Sequence, residues 1–451
     1  MIDTSPLVKT LPGYLARQRW YSGTSAPSRV RILDQRVERE GPPTLLWLLV
    51  EADGATYQLV LGLRPDERPE FLTGKDDAVL GEIHSDESHY LVYDAVIDPE
   101  LCLALLDLVS DGKETASHVR LMTGEQSNSS VVYDDRLILK VFRRLHAGRN
   151  LDVEVTEALS DTGFENIARP LATWRREASG ELPDFDLAVL QPFLFGGVDG
   201  WALALTSLRD LFGVSDTQQI PIISFDSPPP AVDPAEAGGD FSGEARRLGT
   251  ITARMHLALR QAFGEEQGDA RVWAEQIGAQ LDAVTHPEVD HERASQVVEA
   301  LRVVGDAGPS IRVHGDYHLG QVLRTDTGWF VLDFEGEPAR PPEERRRRSS
   351  PLRDVAGMLR SFHYASAVAI QDREPECADL AMAWEERNRK AFLEGYVRAA
   401  EKGGILPDPA ATEAVLAGFE LEKAVYELGY EQSYRPEWRS IPLAALARLG
   451  R

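Results

Sequence analysis

The sequence predicts an α+β fold, and its 451 residues favour about three domains or subdomains of roughly 150 residues each. Apolar runs with strand composition dominate the chain up to about residue 195, whereas helical periodicity dominates after Trp201. An apolar content of 43% is enough to bury a large core. A polar hairpin at residues 313–335 carries the densest group of chemically active side chains, and the other elements are best understood around it.

The first 90 residues or so predict a small α+β unit. Its elements are a helix over Leu11–Trp20 and strands over Val30–Val37, Leu45–Glu51 and Tyr57–Leu63. Asp53-Gly54 between the last two strands is a strong hairpin signal, because both residues tolerate the positive φ of a tight turn. Tyr90–Ile97 is a further strand candidate, and Pro99–Val109 predicts a short helix with leucines on one side.

The second unit centres on a lysine inside an apolar strand. Lys140 lies in the run Arg136–Arg143, which follows a strand candidate around Val131. An unpaired ammonium is costly to bury, so Lys140 needs an anion, which a nucleotide phosphate or a helix carboxylate can supply. We predict that Glu154, on the helix Asn150–Leu159, pairs with it as in kinases. The alternative is an edge-strand lysine that reaches solvent.

Two further stretches of this unit are candidate nucleotide contacts. The turn before Lys140 has few glycines, but small polar residues can present N–H groups and hydroxyls to phosphate oxygens; the alternative is a plain turn. Its candidate ATP-binding residues are Gln126, Ser127, Asn128 and Ser129. The apolar run Leu187–Leu194 predicts a buried strand, and in a bilobal kinase such a strand leads into the hinge that contacts adenine. Gln191 and Phe193 on this run are therefore predicted to bind ATP as well.

Helices dominate the rest of the chain. They are predicted over Leu203–Leu211, Phe241–Phe263, Val272–Leu281, Glu292–Val304, Ser350–Phe362, Trp384–Val397 and Glu413–Glu431. Ser242 is the expected N-cap of the second of these helices. Residues 213–239 contain three consecutive prolines and predict a mobile surface loop. The run Arg345–Arg348 stands out in an acidic chain, either as a patch for an anion or partner or as a solvated loop paired with nearby glutamates.

The polar hairpin combines two carboxylates with a side-chain amide. The runs Gln321–Leu323 and Trp329–Leu332 predict its two strands. Asp316 precedes the first strand and Asp333 closes the second, so the hairpin brings both acids and Gln321 to one end. These groups make an oxygen-rich site suited to Mg²⁺, and one acid can remain free to accept a proton from a substrate hydroxyl, as phosphoryl transfer requires. The alternative is a polar hairpin without chemistry.

Charge and cysteine content exclude several classes of function. A formal net charge of -25 argues against nucleic acid and anionic membranes as partners. The two cysteines lack metal-ligand spacing and argue against a disulfide framework. The first residues lack the basic and apolar regions of a signal peptide, and the apolar stretches are too short to cross a membrane. We therefore expect a cytoplasmic protein.

These motifs resemble those of the actinobacterial maltokinases, relatives of the aminoglycoside phosphotransferases within the eukaryotic-kinase-like superfamily. The similarity runs nearly from end to end. The stretches that carry it are Gln18–Tyr21, Glu125–Asn128, Ile138–Arg144, His314–Leu323, Asp333–Pro338, Arg353–Gly357 and Lys423–Glu427. The resemblance implies a bilobal kinase-like fold with ATP in the cleft between the lobes. Its parts are an N-terminal cap subdomain at residues 1–90, a mixed α/β intermediate subdomain at 91–200 that completes the ATP-binding lobe, and a mainly helical C-terminal lobe at 201–451.

The resemblance also implies an activity and residue roles. A maltokinase uses ATP to phosphorylate C1 of maltose, giving maltose 1-phosphate in the route from trehalose to α-glucan (glycogen), so trehalose synthase is an expected partner. At the matching positions Asp316 is the catalytic base, Gln321 and Asp333 are the Mg²⁺ ligands, and Lys140 is the phosphate-binding lysine. His318, two residues after the base, is predicted to contact the substrate.

The resemblance leaves the sugar open. Actinobacterial glucosamine kinases, which make glucosamine 6-phosphate, share the same ATP-side motifs, so we expect the C-terminal residues after Tyr426 to decide the substrate. The candidate sugar-binding residues there are Glu427, Tyr430, Glu431, Arg435 and Trp438. The acidic stretch at Glu431 departs from the basic sequence of mycobacterial maltokinases, and its carboxylates can hold an ammonium or hydroxyls. The alternatives are a helix end that only packs against the lobe, an aminoglycoside or choline kinase, and a kinase-like binding module without catalysis.

Overall fold

The structure is a computed structural model that describes residues 3–65, 68–85, 88–122, 128–218, 240–338, 340–371, 373 and 376–449. The chain packs as two compact units. We call them the N-terminal unit, Met1–Glu157 with Ala168–Phe195, and the C-terminal unit, Ala158–Ile167 with Gly196–Arg451. The predicted α+β class is confirmed, whereas the predicted division at residues 90 and 200 stays a prediction.

The N-terminal unit contains two antiparallel sheets within the described ranges. Its strands are β1 (Val30–Arg39), β2 (Thr44–Ala52), β3 (Ala55–Pro65), β4 (Val79–Ser85), β5 (Ser88–Asp94), β6 (Val119–Leu121), β7 (Asn128–Tyr133), β8 (Leu137–Phe142), β9 (Arg144–Leu145), β10 (Ala172–Arg176) and β11 (Phe185–Pro192). Its helices are α1 (Leu11–Leu15), α2 (Pro99–Ser110) and α3 (Leu151–Asp161), which begins in this unit. One sheet has the order β1-β2-β3-β5-β4, with β9 also paired to β3, and the other has the order β10-β11-β8-β7-β6.

The first sheet confirms the strands predicted in the first 90 residues. β2 and β3 pair along their whole length, and Asp53 and Gly54 between them have φ values of 48° and 85°. Positive φ at both central positions is the conformation of a two-residue hairpin turn. Alternate residues of β2 lie in two different core clusters, one containing Leu45 and the other Leu46, so this strand is buried on both faces.

A buried glutamine joins the two sheets of the N-terminal unit. Gln58 on β3 is fully buried, and its Oε1 accepts a hydrogen bond of 3.0 Å from the indole N–H of Trp47. Its Nε2 donates to the backbone carbonyls of Phe142 on β8 and Leu187 on β11. Every polar atom of the side-chain amide therefore has a partner, which is the condition for burying it without a large desolvation cost.

A buried arginine adds a second link at this junction. Nη2 of Arg143 donates to both carboxylate oxygens of Asp94, at 2.9 and 2.7 Å, and the hydroxyl of Tyr14 donates to the same carboxylate at 2.9 Å. The guanidinium lies 5.3 Å from the ring centroid of Trp20, which is only 8% exposed. Trp20 belongs to the same core cluster as residues of β2 and β3, so the segment around it packs on the first sheet.

The C-terminal unit is mainly helical in its described part. Its helices are α4 (Gly200–Gln218), α5 (Ser242–Phe263), α6 (Ala270–Asp282), α7 (His291–Arg302), α8 (Pro342–Arg345), α9 (Leu352–Ala369), α10 (Glu376–Gly403), α11 (Pro409–Tyr434) and α12 (Ser440–Arg448). Its strands are β12 (Val198–Asp199), β13 (Glu265–Gln267), β14 (Pro309–Ile311), β15 (Val322–Thr325) and β16 (Gly328–Val331). β15 and β16 form the predicted polar hairpin, with Val322 opposite Val331, and β12 extends it. Across the described ranges, none of the helices has the length and apolar character that a membrane crossing requires.

Some predicted element boundaries are wrong. α1 ends at Leu15 rather than Trp20. β5 ends at Asp94, because the carboxylate of Asp94 accepts the N–H of Val96 at 3.3 Å and caps a 3₁₀ turn over Ala95–Ile97. α4 continues through residues 213–218, which were predicted as loop. The rest of that predicted loop, residues 219–239, lies outside the described residues.

The predicted cap of α5 is also wrong. Ser242 is the first residue of the helix and not its cap. The carboxylate of Asp240 accepts both the N–H of Ser242, at 3.0 Å, and its hydroxyl, at 2.9 Å. An aspartate just before a helix satisfies free N–H groups as well as a serine does, so the sequence pattern left this choice open.

Candidate active site

The loop between β14 and β15 is held by one buried carboxylate. We call residues 312–321 the catalytic loop. Asp354, in the first turn of α9, accepts the backbone N–H of His314 at 2.7 Å with Oδ2 and that of Gly315 at 2.9 Å with Oδ1. Asp354 is 2% exposed, so these N–H groups have a fixed and dry partner. The loop therefore takes its shape from α9, which follows it in sequence by some thirty residues.

A histidine and a tyrosine support that carboxylate in turn. Nε2 of His256 on α5 lies 3.1 Å from Oδ2 of Asp354, and its Nδ1 lies 2.9 Å from the hydroxyl of Tyr396 on α10. Burial alone would raise the pKa of Asp354, but His256, His314 and the N–H of Gly315 lower it more, so the carboxyl stays ionised. The structure buries His256 completely.

His314 connects the catalytic loop to the end of the hairpin. Its Nε2 lies 2.9 Å from the carbonyl oxygen of Leu332, which can only accept, so Nε2 carries the proton. Its Nδ1 is then free to accept the N–H of Asp316, 3.4 Å away. One imidazole therefore positions the backbone of Asp316 relative to the residue before Asp333.

The side chain of Asp316 is partly exposed and lies near the side-chain nitrogens of Lys423 and His318. Its Oδ1 lies 3.5 Å from Nζ of Lys423, and its Oδ2 lies 3.9 Å from Nε2 of His318. Burial alone would raise the pKa of Asp316, but Lys423, His318 and His314 lower it more, and the net pKa lies below the ordinary value. Asp316 is therefore an ionised carboxylate at neutral pH and can accept a proton.

Lys423 on α11 is a site residue to which sequence reasoning gave no role. Its Nζ also lies 3.6 Å from Oε1 of Glu337 and 5.0 Å from the ring centroid of Tyr426. Burial would lower the pKa of Lys423, but Asp316, Glu337 and Glu427 raise it above the usual lysine value. The ammonium thus stays charged between two carboxylates. A lysine on an otherwise acidic helix was the available signal, but nothing in the pattern linked it to Asp316.

The two predicted metal ligands lie next to each other. Nε2 of Gln321 lies 3.4 Å from Oδ2 of Asp333, and the backbone carbonyl of Gln321 accepts the N–H of Leu332 at 2.9 Å. Asp333 has φ of 63°, a left-handed conformation that aspartate tolerates and that turns its side chain off the end of β16. The hairpin therefore brings this amide and this carboxylate together, as predicted from their positions.

This pair fits a magnesium ion that is held mainly by substrate and water. Mg²⁺ prefers oxygen ligands and commonly takes only one or two protein carboxylates together with phosphate oxygens and water. Within the described part of the chain, no group of three or more His, Cys, Asp or Glu side chains could hold a metal by itself. One carboxylate and one amide oxygen are consistent with a site completed by a nucleotide, and not with a structural metal centre.

A small cavity of about 20 Å³ adjoins Asp316. Asp316, Glu337, Lys423 and Tyr426 are among its lining residues, so it is polar and carries both charges. Its volume is about that needed for one water molecule. A hydroxyl or a water in this cavity would contact both the carboxylate and the ammonium.

In the N-terminal unit, the strand lysine lies close to a carboxylate of α3 that the sequence analysis did not single out. Nζ of Lys140 on β8 lies 3.6 Å from Oδ2 of Asp152, whose side chain is 4% exposed. Glu154 is two residues further along α3, and its pairing with Lys140 stays a prediction. The side chain of Asn150 caps α3 by accepting the N–H groups of Asp152 and Val153, at 2.9 and 3.2 Å. The helix start, and with it Asp152, is therefore fixed against the sheet.

The other predicted nucleotide contacts lie on β7 and around the end of β11. Oγ of Ser129 accepts a hydrogen bond of 2.9 Å from Arg143, and Asn128 pairs with Phe142 on β8. Nε2 of buried Gln191 donates to the carbonyl of Ala168 at 3.1 Å. The ring centroid of Phe193 lies 5.6 Å from the guanidinium of Arg120. Gln126 and Ser127 lie outside the described residues. The nucleotide roles of these residues stay predictions.

The predicted sugar-binding carboxylates are engaged within the chain. Glu427 accepts two hydrogen bonds, of 2.9 and 2.6 Å, from the guanidinium of buried Arg360. Glu431 accepts one of 3.1 Å from the hydroxyl of Tyr364 and one of 2.9 Å from Arg435. Both glutamates are buried, and burial raises the pKa of Glu431 although Arg435 and Tyr364 oppose the shift.

The aromatic members of the predicted sugar site gather around one arginine. The guanidinium of Arg435 lies 5.4 Å from the ring centroid of Tyr430 and 4.5 Å from that of Trp438. The structure thus brings Tyr430, Glu431, Arg435 and Trp438 together at the end of α11. Their contact with a sugar stays a prediction.

Two family models match the chain. The maltokinase N-terminal cap domain matches residues 14–98, and the phosphotransferase enzyme family matches residues 234–415. The first match extends from the end of α1 to the residue before α2. The second covers the catalytic loop, the hairpin and α9.

Two relatives that match most of the chain are glucosamine kinases. The chain is 30% identical over 355 residues to a glucosamine kinase of Mycolicibacterium smegmatis, across 76% of this chain and 82% of that protein. It is 27% identical over 341 residues to a glucosamine kinase of Streptacidiphilus jiangxiensis, across 72% of each. A solved glucosamine kinase in complex with glucosamine, ADP and inorganic phosphate has a TM-score of 0.66 at 22% identity and covers 100% of both chains. A second crystal form has a TM-score of 0.66 at 23% identity and covers 99% of both. At these identities the structural likeness shows the fold.

Proposed function

We propose that this chain, which belongs to the phosphotransferase enzyme family, transfers the γ-phosphoryl group of ATP to a hydroxyl of glucosamine. Within the family it is in the group that carries a maltokinase-type N-terminal cap domain, and it is a kinase of a sugar or another small molecule. Two observations carry the chemistry: the Asp316–Lys423 ion pair and the Gln321–Asp333 pair, which His314 connects through the backbone of Asp316 and Leu332. The observation that favours the acceptor is that two relatives spanning most of the chain are glucosamine kinases.

Asp316 is the proposed general base. The acceptor oxygen attacks the γ-phosphorus, the bond from that phosphorus to the β–γ bridging oxygen breaks, and ADP leaves. The proton of the attacking hydroxyl passes to the carboxylate of Asp316. Lys423 keeps that carboxylate ionised before the reaction, and His314 fixes its backbone, so the base needs little rearrangement to act.

Gln321 and Asp333 are the residues proposed to hold Mg²⁺ with the nucleotide phosphates. A bound Mg²⁺ neutralises phosphate charge and orients the phosphoryl group for transfer. The protein contributes the fixed position of the two ligands, because the β15–β16 hairpin and the left-handed backbone at Asp333 set where their oxygens point.

Lys140 is the proposed phosphate-binding lysine of the N-terminal unit. The lysine needs an anionic partner to remain charged in a strand that is mostly buried, and Asp152 supplies one in the absence of a nucleotide. A nucleotide phosphate would add a second anion to the same ammonium. This role predicts a loss of ATP affinity on removal of Lys140, with Asp152 as the group that orients it.

Maltose is the second candidate acceptor, because the cap domain of this chain matches the maltokinase cap model. Phosphorylation at C1 would then give maltose 1-phosphate. Under this alternative we propose a place in the route from trehalose to α-glucan and an association with trehalose synthase. Co-purification of the two proteins at equal stoichiometry would support the association.

A phosphate-transfer assay with ATP and Mg²⁺ separates the candidates. The acceptor panel is glucosamine, maltose, glucose, choline and kanamycin, and the readout is acceptor-dependent release of ADP. We expect the highest kcat/KM for glucosamine. A higher value for maltose would replace the acceptor and keep the reaction, whereas no acceptor-dependent turnover on any sugar would contradict the proposed function.

A further inference from the structure

An arginine-lined cavity in the C-terminal unit has no assigned role in the proposed reaction. Its volume is about 760 Å³, within the range of roughly 300–1,000 Å³ that is common for ligand pockets. Its walls come from α6, from the segment after β14, and from the segment between β16 and α9 that includes the run Arg345–Arg348. The arginine run noted in the sequence therefore lines a concave space and is not simply a solvated loop.

The cavity carries positive charge in an acidic chain. Seven arginines and four glutamates line it, which leaves three positive charges in excess, whereas the whole chain has a net charge of -25. A local reversal of sign of this size, enclosed by low-dielectric walls, concentrates anions from solution. The ligand that such a cavity favours is therefore anionic.

Three of these arginines bond to neighbouring groups in the wall of the cavity. Arg348 pairs with Glu266, and Arg353 pairs with Glu422 at 3.0 Å. The guanidinium of Arg345 donates to the backbone carbonyls of Arg340, at 2.7 Å, and Pro338, at 2.8 Å. These contacts fix the course of the segment after β16 and with it the shape of the cavity.

Three further arginines line the cavity, namely Arg312, Arg346 and Arg347. Arg312 is only 6% exposed, lies 5.7 Å from the ring centroid of Phe263, and donates to the carbonyl of Arg346 at 3.2 Å. Arg346 and Arg347 are adjacent in sequence and both line the cavity, and Arg347 is exposed. Guanidinium groups bind phosphate oxygens in pairs, through two parallel N–H groups.

Two amides face the same space. Gln276 and Gln280 lie one turn apart on α6 and both line the cavity. Residues four apart share one face of a helix, so the two amides form a row. Amides recognise the hydroxyls of a sugar and the ring nitrogens of a nucleobase, and inorganic phosphate has neither of these organic parts. We propose that this cavity binds an organic phosphate monoester, such as a sugar phosphate or a nucleoside monophosphate, with the phosphate on the arginines and the polar remainder on the glutamines.

The cavity also borders the proposed catalytic residues. Gly315, just before the base, and Glu337, which contacts Lys423 at 3.6 Å, belong to its wall. A bound anion competes with Glu337 for nearby cations and thereby changes the field at Lys423. Occupancy is therefore expected to change kcat.

Calorimetric titration of the full chain tests the site without turnover. The probes are glucose 6-phosphate, AMP and inorganic phosphate, and the protein is the wild type or the double variant Arg346→Ala/Arg347→Ala. We expect glucose 6-phosphate or AMP to bind more tightly than inorganic phosphate, and the double variant to lose at least tenfold in affinity. Gln276→Glu, an exposed change that adds a like charge to the ligand, should weaken binding in the same direction and guards against a folding defect in the double variant.

The control is Arg271→Ala, an exposed arginine on α6 that does not line the cavity, and it should leave the affinity unchanged. The KM for ATP should match the wild type in all variants, so a failure here is separable from a failure of the proposed kinase reaction. Binding of neither organic probe at millimolar concentration, equal or tighter binding of inorganic phosphate, or unchanged affinity in both cavity variants would overturn the proposal.

Discussion

The ion pair between Asp316 and Lys423 sets the pH range in which the proposed base can accept a proton. Asp316 is partly buried, and burial alone would raise its pKa, but the ammonium of Lys423 lies 3.5 Å away and lowers it. His318 and His314 act in the same direction. The carboxylate is therefore ready to accept a proton at a pH where a buried acid without such neighbours would be partly neutral.

Lys423→Met should move the pH dependence of the reaction. Without the ammonium, the pKa of Asp316 rises, and because the base must be deprotonated, the acid limb of the kcat/KM profile moves to higher pH. Activity lost at pH 6 should be partly recovered at pH 8. Lys402→Met, an exposed lysine on α10, is the matched control and should keep the wild-type profile. An unshifted acid limb in Lys423→Met would show that Lys423 does not set the charge of the base.

Asp333→Ala should abolish activity at ordinary Mg²⁺ and weaken nucleotide binding, because it removes the anionic member of the proposed ligand pair. The measurement is the Mg²⁺ dependence of the initial rate together with ADP affinity. Asp326→Ala, in the exposed turn of the same hairpin, tests for a general effect of losing an acid there and should behave like the wild type. Wild-type Mg²⁺ dependence in Asp333→Ala would remove Asp333 from the metal site.

Among the elements, α9 determines the shape of the catalytic loop. Asp354 on its first turn accepts two loop N–H groups. Ser361, two turns further along α9, accepts the N–H of Leu319 at 3.0 Å. Gly357 lies between them, and a Cβ there would stand 2.6 Å from the backbone carbonyl oxygen of Tyr317. The loop and the helix therefore pack with no room for a side chain at that position.

Gly357→Ala should destabilise the protein and reduce turnover. The added methyl must push the loop backbone away, and overpacking of this kind typically costs about 1–3 kcal/mol. Thermal unfolding and kcat are the readouts. Gly243→Ala, at the start of α5, is the control, because a Cβ there meets no atom within 4 Å. Equal stability of the two variants would mean that the contact between α9 and the catalytic loop is looser than described here.

The end of α11 should affect the acceptor and not the donor. Glu431→Gln is expected to raise the KM for the sugar, and to do so far more for glucosamine than for maltose if an ammonium is bound, because a charge-assisted contact disappears. The KM for ATP should change little. Glu413→Gln, exposed on the same helix, is the control. A rise in the KM for ATP alone would remove Glu431 from the sugar site.

Local signals were sufficient for the hairpin but not for its neighbours. Gln321 and Asp333 lie at one end of the predicted hairpin, and strand alternation with turn chemistry predicts that they meet, as they do at 3.4 Å. Lys423 reaches the site from a helix a hundred residues away, and no period in the sequence encodes such a contact. Which residues of α3 face Lys140 depends on helix phase, since two residues are about 200° apart around a helix. The cap at Asn150 sets that phase and places Asp152 within 3.6 Å of the lysine.

For the molecule as a whole, the sequence predicted the fold class and the order of its parts. Strand-rich and helix-rich stretches differ in composition, so the two kinds of region could be distinguished without a structure. The grouping of the described residues into units was harder to predict. The first two predicted subdomains share a core because Gln58 and Arg143 join their sheets, and a buried polar link of this kind leaves no pattern in the sequence.

The most direct test of a phosphoryl transfer based on Asp316 is acceptor-dependent transfer from γ-labelled ATP by the wild type and by Asp316→Asn. An amide has nearly the same shape as the carboxylate but cannot accept the hydroxyl proton, so ATP binding should persist while kcat falls by about 10²–10⁴-fold. ATP affinity of the variant, measured by calorimetry, provides the control for folding. Transfer by Asp316→Asn at a rate near that of the wild type would contradict the assignment of Asp316 as the base.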